Sequence, residues 1–196
     1  GKASFGEAHV ALARKVIAAC RANGVRRVLH MSALNAAVTG PSAYLRSKGE
    51  AENAVRESGL DFTIFQPSVI FGREDSFLNL FARLLQLLPV VFLGSPNARF
   101  QPVFVEDLAA VIAESLTRME SFGKAYELGG PRIYTLRELV QYVGNVTGHR
   151  RPVIGLSPRL SYWQAVAMGL LPVKLLTRDN YYSMQVDSVC TSQLPF

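Results

Sequence analysis

A chain of 196 residues, 49% hydrophobic and 18% charged, can bury a compact core and is too apolar for a disordered tail. Its net charge of +6 suits an anionic ligand such as a dinucleotide, but the basic residues are scattered and no groove-reading motif accompanies them, which argues against nucleic acid. Cys20 and Cys190 stand alone, with no CxxC spacing, no His/Cys cluster, no signal sequence and no uninterrupted membrane span, so the sequence predicts reduced thiols, no metal and a cytoplasmic setting.

Residues 4–23 read as an amphipathic helix. Ser4 and Glu7 have capping-box spacing, Val10, Ala13, Val16, Ile17 and Cys20 form the buried stripe, and Gly24 is its stop. Residues 27–32 (RVLHMS) read as a short buried strand, with His30 a satisfied core histidine. A loop containing Gly40 and Pro41 leads to a helix over 42–57, stopped by Gly59, and then to a strand over 61–70 whose Pro67 ends regular pairing. This alternation requires parallel strands joined by crossovers, so the fold class is α/β. Further on, the pattern predicts helices over 76–88 and 106–117, with Asp107 anchoring or capping the latter. A strand over 103–105 precedes that helix, and another over 125–128 is closed by Gly129-Gly130-Pro131. Thr135 and Glu138 open a helix as a capping box, 153–156 is a short strand, and 160–176 is an apolar helix interrupted at Pro172. From Thr177 the chain is polar and unpatterned. The expected organisation is a partial doubly wound, Rossmann-like parallel sheet over 1–120 and a small C-terminal α/β substrate lobe over 121–196.

A complete dinucleotide-binding domain opens with a strand, a Gly-rich turn and a helix whose N-terminus meets the pyrophosphate. No GxGxxG or GxxGxxG occurs in this chain, and the Gly129-Gly130 pair lacks a third glycine. The first strands are therefore expected upstream of residue 1, which makes these residues the later portion of a longer domain.

Tyr44 and Lys48 form a Y-x-x-x-K pair whose i, i+4 spacing puts both side chains on one helix face. A cation beside a phenol favours tyrosinate, lowering its pKa toward working pH, and such a tyrosine serves as acid or base for a carbonyl/alcohol couple. The pair follows a strand ending in Ser32 and precedes the run Gln66-Pro67-Ser68-Val69-Ile70-Phe71-Gly72.

These segments, with VRRVLHMSAL, SAYLRSKGEAENAVRESGLDFTIFQPSVIFG, RFQPVFVEDLAAVI and AYELGGPRIYTLREL, resemble atypical extended short-chain dehydrogenase/reductases of the NAD-dependent epimerase/dehydratase family. More narrowly, they are similar to bacterial relatives of the nucleotide-binding accessory subunit of respiratory complex I. The resemblance implies Tyr44 as acid/base and a cofactor contact, and Lys48 as its tuner and a ribose ligand. It implies Ser32 as a nicotinamide or substrate contact, Pro67 and Ser68 as the border of the nicotinamide, and Arg99 as a phosphate ligand of the substrate. It implies NAD or NADP as cofactor of the longer protein, with weak or absent binding by these residues alone. The substrate class implied is a nucleotide-sugar or another small carbonyl/alcohol, acted on by an epimerase/dehydratase or reductase. The alternative is a non-catalytic dinucleotide-binding accessory protein, partnered by a membrane complex and peripheral to the inner membrane. A homo-oligomer is a further expected partner state, and a basic interaction module without cofactor is a third reading. One departure bears on catalysis: Ala33 or Leu34 stands where the family's active enzymes carry a serine or threonine, unless Ser32 substitutes. Calorimetric titration of NADH and NADPH into the 196-residue protein is expected to show no low-micromolar binding. Binding in that range would mean that the pyrophosphate turn is dispensable.

Overall fold

The computed structural model describes residues 4–169 and 177–191. Ser4 and Glu7 exchange the reciprocal capping bonds, Ser4 N–H to Glu7 Oε2 at 2.7 Å and Glu7 N–H to Ser4 Oγ at 3.2 Å. A π-helical stretch, Gly6–Ala11, then runs into α1, Leu12–Ala22. Val10 and Ile17 are buried, but Val16, expected inside, is 46% exposed. The chain continues through β1 (Arg27–Met31), α2 (Ala43–Arg56), β2 (Asp61–Pro67), β3 (Ile70–Phe71), α3 (Leu78–Leu87), β4 (Val91–Leu93), β5 (Arg99–Phe100) and β6 (Val103–Phe104). It ends with α4 (Val105–Ser115), β7 (Lys124–Leu128), β8 (Tyr134–Thr135), α5 (Leu136–Val146), β9 (Val153–Gly155), α6 (Pro158–Gly169) and α7 (Arg178–Ser183).

These elements fall into two compact units. One holds Gly1–Ser68, Val105–Leu128 and Cys190–Phe196, and the other Val69–Phe104 and Gly129–Val189. The first unit carries a parallel sheet in the order β1-β2-β7, the α/β arrangement expected of the sequence. Central β2 supplies fully buried Thr63, Ile64 and Phe65. Edge strand β1 is half-buried throughout, not buried as expected, because it has a neighbour on one side only among the described residues. Ile17, Val55 and Ile64 pack as a core beside Leu60, Phe62 and Ala125. Arg27 fastens β1 to its surroundings by donating to the carbonyls of Asp61 (3.1 Å) and Ser115 (2.6 Å), with its guanidinium 4.1 Å from the Phe122 ring centroid.

The local fit around α2 is what positions the site. Ser42 Oγ accepts from Leu45 N–H at 3.1 Å, the N-cap that starts this helix. The loop after β1 then folds back onto α2. Ala37 N–H donates to the Leu45 carbonyl at 3.2 Å, and Arg46 Nη1 holds the Gly40 carbonyl at 2.9 Å. Gly49 permits the approach: a Cβ there would overlap the Ala37 carbonyl carbon and lie 2.6 Å from its Cα.

The second unit holds the larger apolar cluster, in which Phe81 and Leu85 of α3 meet Val91, Leu93, Phe100, Leu136, Leu139, Val140 and Val143. Its strands are short pairs: β3 with β6 and β4 with β9 parallel, β5 with β8 antiparallel. Thr135 and Glu138 form the expected capping box at α5. Thr177 and Asn180 form another, so the region read as unpatterned opens with helix α7. The Gly129-Gly130 turn serves close packing, since a Cβ at Gly130 would overlap the Pro102 carbonyl oxygen. The apolar helix expected over 160–176 is described as far as Gly169, and the expectation for 170–176 lies outside the described residues.

Gly→Ala inside a helix ordinarily stabilises by about 1 kcal/mol. At Gly49 the overlap with Ala37 reverses the sign, and Gly49→Ala is expected to cost about 1–3 kcal/mol of unfolding free energy, read from urea denaturation.

Candidate functional site

The parallel register brings three of the expected site residues to the C-terminal ends of neighbouring strands, where open α/β sheets bind ligands. Ser32 follows β1 and donates its N–H to the Phe65 carbonyl at 2.7 Å. Pro67 ends β2 opposite Leu128, and Ser68 N–H donates to the Leu128 carbonyl at 2.9 Å. Leu34 N–H reaches the Pro67 carbonyl at 3.0 Å, closing the strand ends together. Ser32 is 3% exposed, and its hydroxyl oxygen is buried with no hydrogen-bond partner. A buried hydroxyl left unpaired costs free energy unless a ligand satisfies it, so this end of the sheet fits a polar ligand such as a nicotinamide.

Tyr44 and Lys48 share one face of α2, with Lys48 Nζ 5.9 Å from the Tyr44 ring centroid. Lys48 Nζ donates to the Met31 carbonyl at 3.0 Å, tying α2 to the end of β1 beside Ser32. Phe5 and His9 pack edge-on to the Tyr44 ring at 5.9 and 5.6 Å between centroids. His9 Nδ1 lies 2.8 Å from Ser47 Oγ. The expected lowering of the phenol pKa is not what the geometry gives. Burial pushes Tyr44 above its ordinary value and keeps it a neutral phenol. Burial likewise lowers the Lys48 ammonium, with Glu52 opposing.

Glu52, one further turn along α2, is 4% exposed. Its Oε1 accepts from Gln66 Nε2 at 2.8 Å, and its Oε2 lies 3.4 Å from Arg56 Nη2. His30 is not the satisfied core histidine expected: its Nε2 is buried without a partner. Burial and then the Lys48 charge lower its pKa against Glu52, and burial and Lys48 lower His9 too. The site is thus a run of titratable groups behind the strand ends: His9, His30, Tyr44, Lys48 and Glu52. Sequence reasoning missed Phe5, His9 and Gln66, which are brought in by tertiary packing. Glu52 was missed too, and its i+4 spacing from Lys48 is the signal that could have found it. Arg99 belongs to the second unit and is committed to Asp187, with Nη2 2.8 Å and Nε 2.9 Å from Oδ2. Asp107 stands in the first turn of α4, where a carboxylate complements the helix dipole.

Residues 2–78 match the family model described as NAD(P)H-binding. The fold is similar to that of an Escherichia coli NADPH-dependent quinone oxidoreductase complexed with NADPH, with TM-score 0.71 and 23% identity over 88% of this chain and 60% of that one. It is also similar to a Thermus thermophilus UDP-glucose 4-epimerase complexed with NAD, with TM-score 0.63 and 20% identity over 90% of this chain and 70% of that one. The fold is short-chain dehydrogenase/reductase-like, and its N-terminal part carries the NAD(P)H-binding family match. In sequence this chain is homologous to the mitochondrial NADH dehydrogenase (ubiquinone) 1 alpha subcomplex subunit 9. Identity with the Rattus norvegicus subunit is 35% over 195 residues, 97% of this chain and 51% of the relative. With the Arabidopsis thaliana subunit it is 38% over 143 residues, 70% of this chain and 35% of the relative. The chain therefore spans about half the length of the rat subunit it matches.

Histidines held neutral by burial destabilise the fold on acidification. Below the ordinary histidine value of 6.5 the unfolded chain binds protons that the folded chain refuses, so stability falls as pH falls through that window. Urea unfolding between about pH 7.5 and about pH 5 is expected to show this slope, and His30→Asn is expected to flatten it.

Proposed function

We propose that this chain forms the nicotinamide-side part of an NAD(P)-binding accessory protein, associated peripherally with a membrane-bound respiratory complex and not turning over a substrate. The observation that carries this reading is the state of the Tyr44-Lys48 pair. Burial holds Tyr44 as a neutral phenol, and Lys48 gives its amino group to the Met31 carbonyl. Buried Ala33 and Leu34 occupy the positions where a catalytic hydroxyl is expected. The homology to an accessory subunit supports the same reading. No helix of the described residues is long and apolar enough to cross a membrane, which is compatible with peripheral attachment.

The residues divide the work of binding. Lys48 is the ribose ligand, exchanging its bond to Met31 for a ribose hydroxyl. Ser32 Oγ pairs its orphaned oxygen with the nicotinamide amide, and Pro67 and Ser68 border the ring. Arg99 would have to leave Asp187 before meeting a substrate phosphate. The second reading is an epimerase/dehydratase or reductase acting on a nucleotide-sugar or another carbonyl/alcohol substrate. The shared face and 5.9 Å separation of Tyr44 and Lys48 favour it.

In the protein carrying these residues, Lys48→Met is expected to weaken NAD(P)H binding about tenfold by removing a charge-assisted bond. Tyr44→Phe is expected to leave cofactor affinity within about twofold and complex assembly unchanged. A cofactor-coupled turnover that Tyr44→Phe abolishes would establish the enzyme reading instead.

A further inference from the structure

A cavity of about 470 Å³ lies wholly within the second unit, with Arg73, Asn79, Arg83, Gln86, Thr147 and His149 in its wall. This is the size of a small-ligand site. Asn79, Arg83 and Gln86 fall at i, i+4 and i+7 of α3 and so share one face. The guanidinium groups of Arg73 and Arg83 take no hydrogen bond or ion pair among the described residues, and His149 Nδ1 is buried without a partner.

The walls are held in place by other bonds. Asn79 Nδ2 donates to the Arg73 and Asp75 carbonyls at 3.2 and 2.8 Å. Asp75 Oδ1 accepts from Leu78 N–H at 2.6 Å, which fixes the loop against the start of α3. On the opposite wall, Gly148 at φ +73° turns the chain after α5, and Thr147 Oγ1 donates to the Val143 carbonyl at 2.8 Å. Arg151 Nε donates to the Leu85 carbonyl at 3.2 Å, binding this turn to α3. Among the described residues neither acidic member of the wall pairs with a guanidinium: Asp75 spends Oδ1 on Leu78 and lies with Oδ2 3.4 Å from Asn79 Nδ2, and Glu74 is exposed.

We propose that this cavity binds a phosphate group, as the phosphomonoester or diphosphate of a small soluble compound or of a lipid headgroup. Guanidinium groups grip phosphate oxygens in pairs, and the His149 ring stands in the same wall. The proposal is independent of the dinucleotide site, whose residues all lie in the first unit.

The test is calorimetric titration of inorganic pyrophosphate into the 196-residue protein, with the His149 side-chain nitrogens followed by NMR. Saturable binding tighter than about 1 mM is expected, with His149 shifting in step. Arg73→Gln combined with Arg83→Gln is expected to weaken it at least about tenfold. Arg14→Gln combined with Arg118→Gln, an equal charge loss in the first unit, is expected to change it less than about twofold. Sedimentation with phosphatidic acid vesicles but not phosphatidylcholine vesicles, lost in the first double variant, would identify the headgroup. Pyrophosphate binding without vesicle binding would identify a soluble phosphate compound. The proposal is overturned by no saturation at about 10 mM pyrophosphate, by equal weakening in both double variants, or by a His149 resonance that does not move.

Discussion

The first unit is organised around the close approach of Gly49 to the Ala37 backbone. Two polypeptide segments can pass that closely only where one has no side chain. Because they do, the loop leaving β1 lies along α2 instead of projecting into solvent. That contact fixes where α2 begins, at the Ser42 cap, and therefore which turn carries Tyr44. One turn later Lys48 comes within 3.0 Å of the Met31 carbonyl, beside the orphaned Ser32 hydroxyl. Backbone sterics at one glycine thus set the spacing between a strand end and a helix face.

The polar groups behind the strand ends carry an energetic tension. An ammonium, a carboxylate and two imidazoles share a partly dehydrated region, and burying charge is expensive unless it is paired. Glu52 relieves part of the cost for Lys48, and the imidazoles avoid it by staying neutral. Tyr44 does the same by staying protonated. The arrangement has already stripped water from the groups a ligand would touch. It therefore favours binding of a polar ring more readily than it favours generating tyrosinate in the free protein.

Much of this was legible in the sequence where the signal was local. Capping pairs Ser4-Glu7 and Thr135-Glu138 gave helix starts, Gly24 and Gly59 gave stops at positive φ, and Pro67 marked the end of the β2 ladder. The parallel pairing of β1 with β2 followed from their order with a helix between. The spacing of Tyr44 and Lys48 marked the site. Features that depend on what packs from elsewhere were not legible. Val16 stands exposed beside buried Ile17, a choice that depends on what packs against α1, and strands of two or three residues such as β4, β5 and β8 are too short for periodicity to register. The direction of the Tyr44 pKa shift could not be read from spacing either, because it is governed by how deeply Phe5, His9 and the neighbouring backbone enclose the ring.

The way the first unit is threaded has a consequence for synthesis on the ribosome. Its central strand, β2, waits for β7, which lies beyond a long stretch belonging to the other unit. Later still, Thr191 N–H and Oγ1 reach the Glu127 carboxylate at 2.6 and 2.9 Å. A nascent chain that has emerged as far as β2 therefore exposes a sheet edge with no strand to cover it, and such edges recruit strands from other chains. Contacts at this sequence separation form slowly. The interval between the emergence of β2 and of β7 is when the growing polypeptide most needs a holdase chaperone, and slowing elongation across that interval would raise its tendency to aggregate.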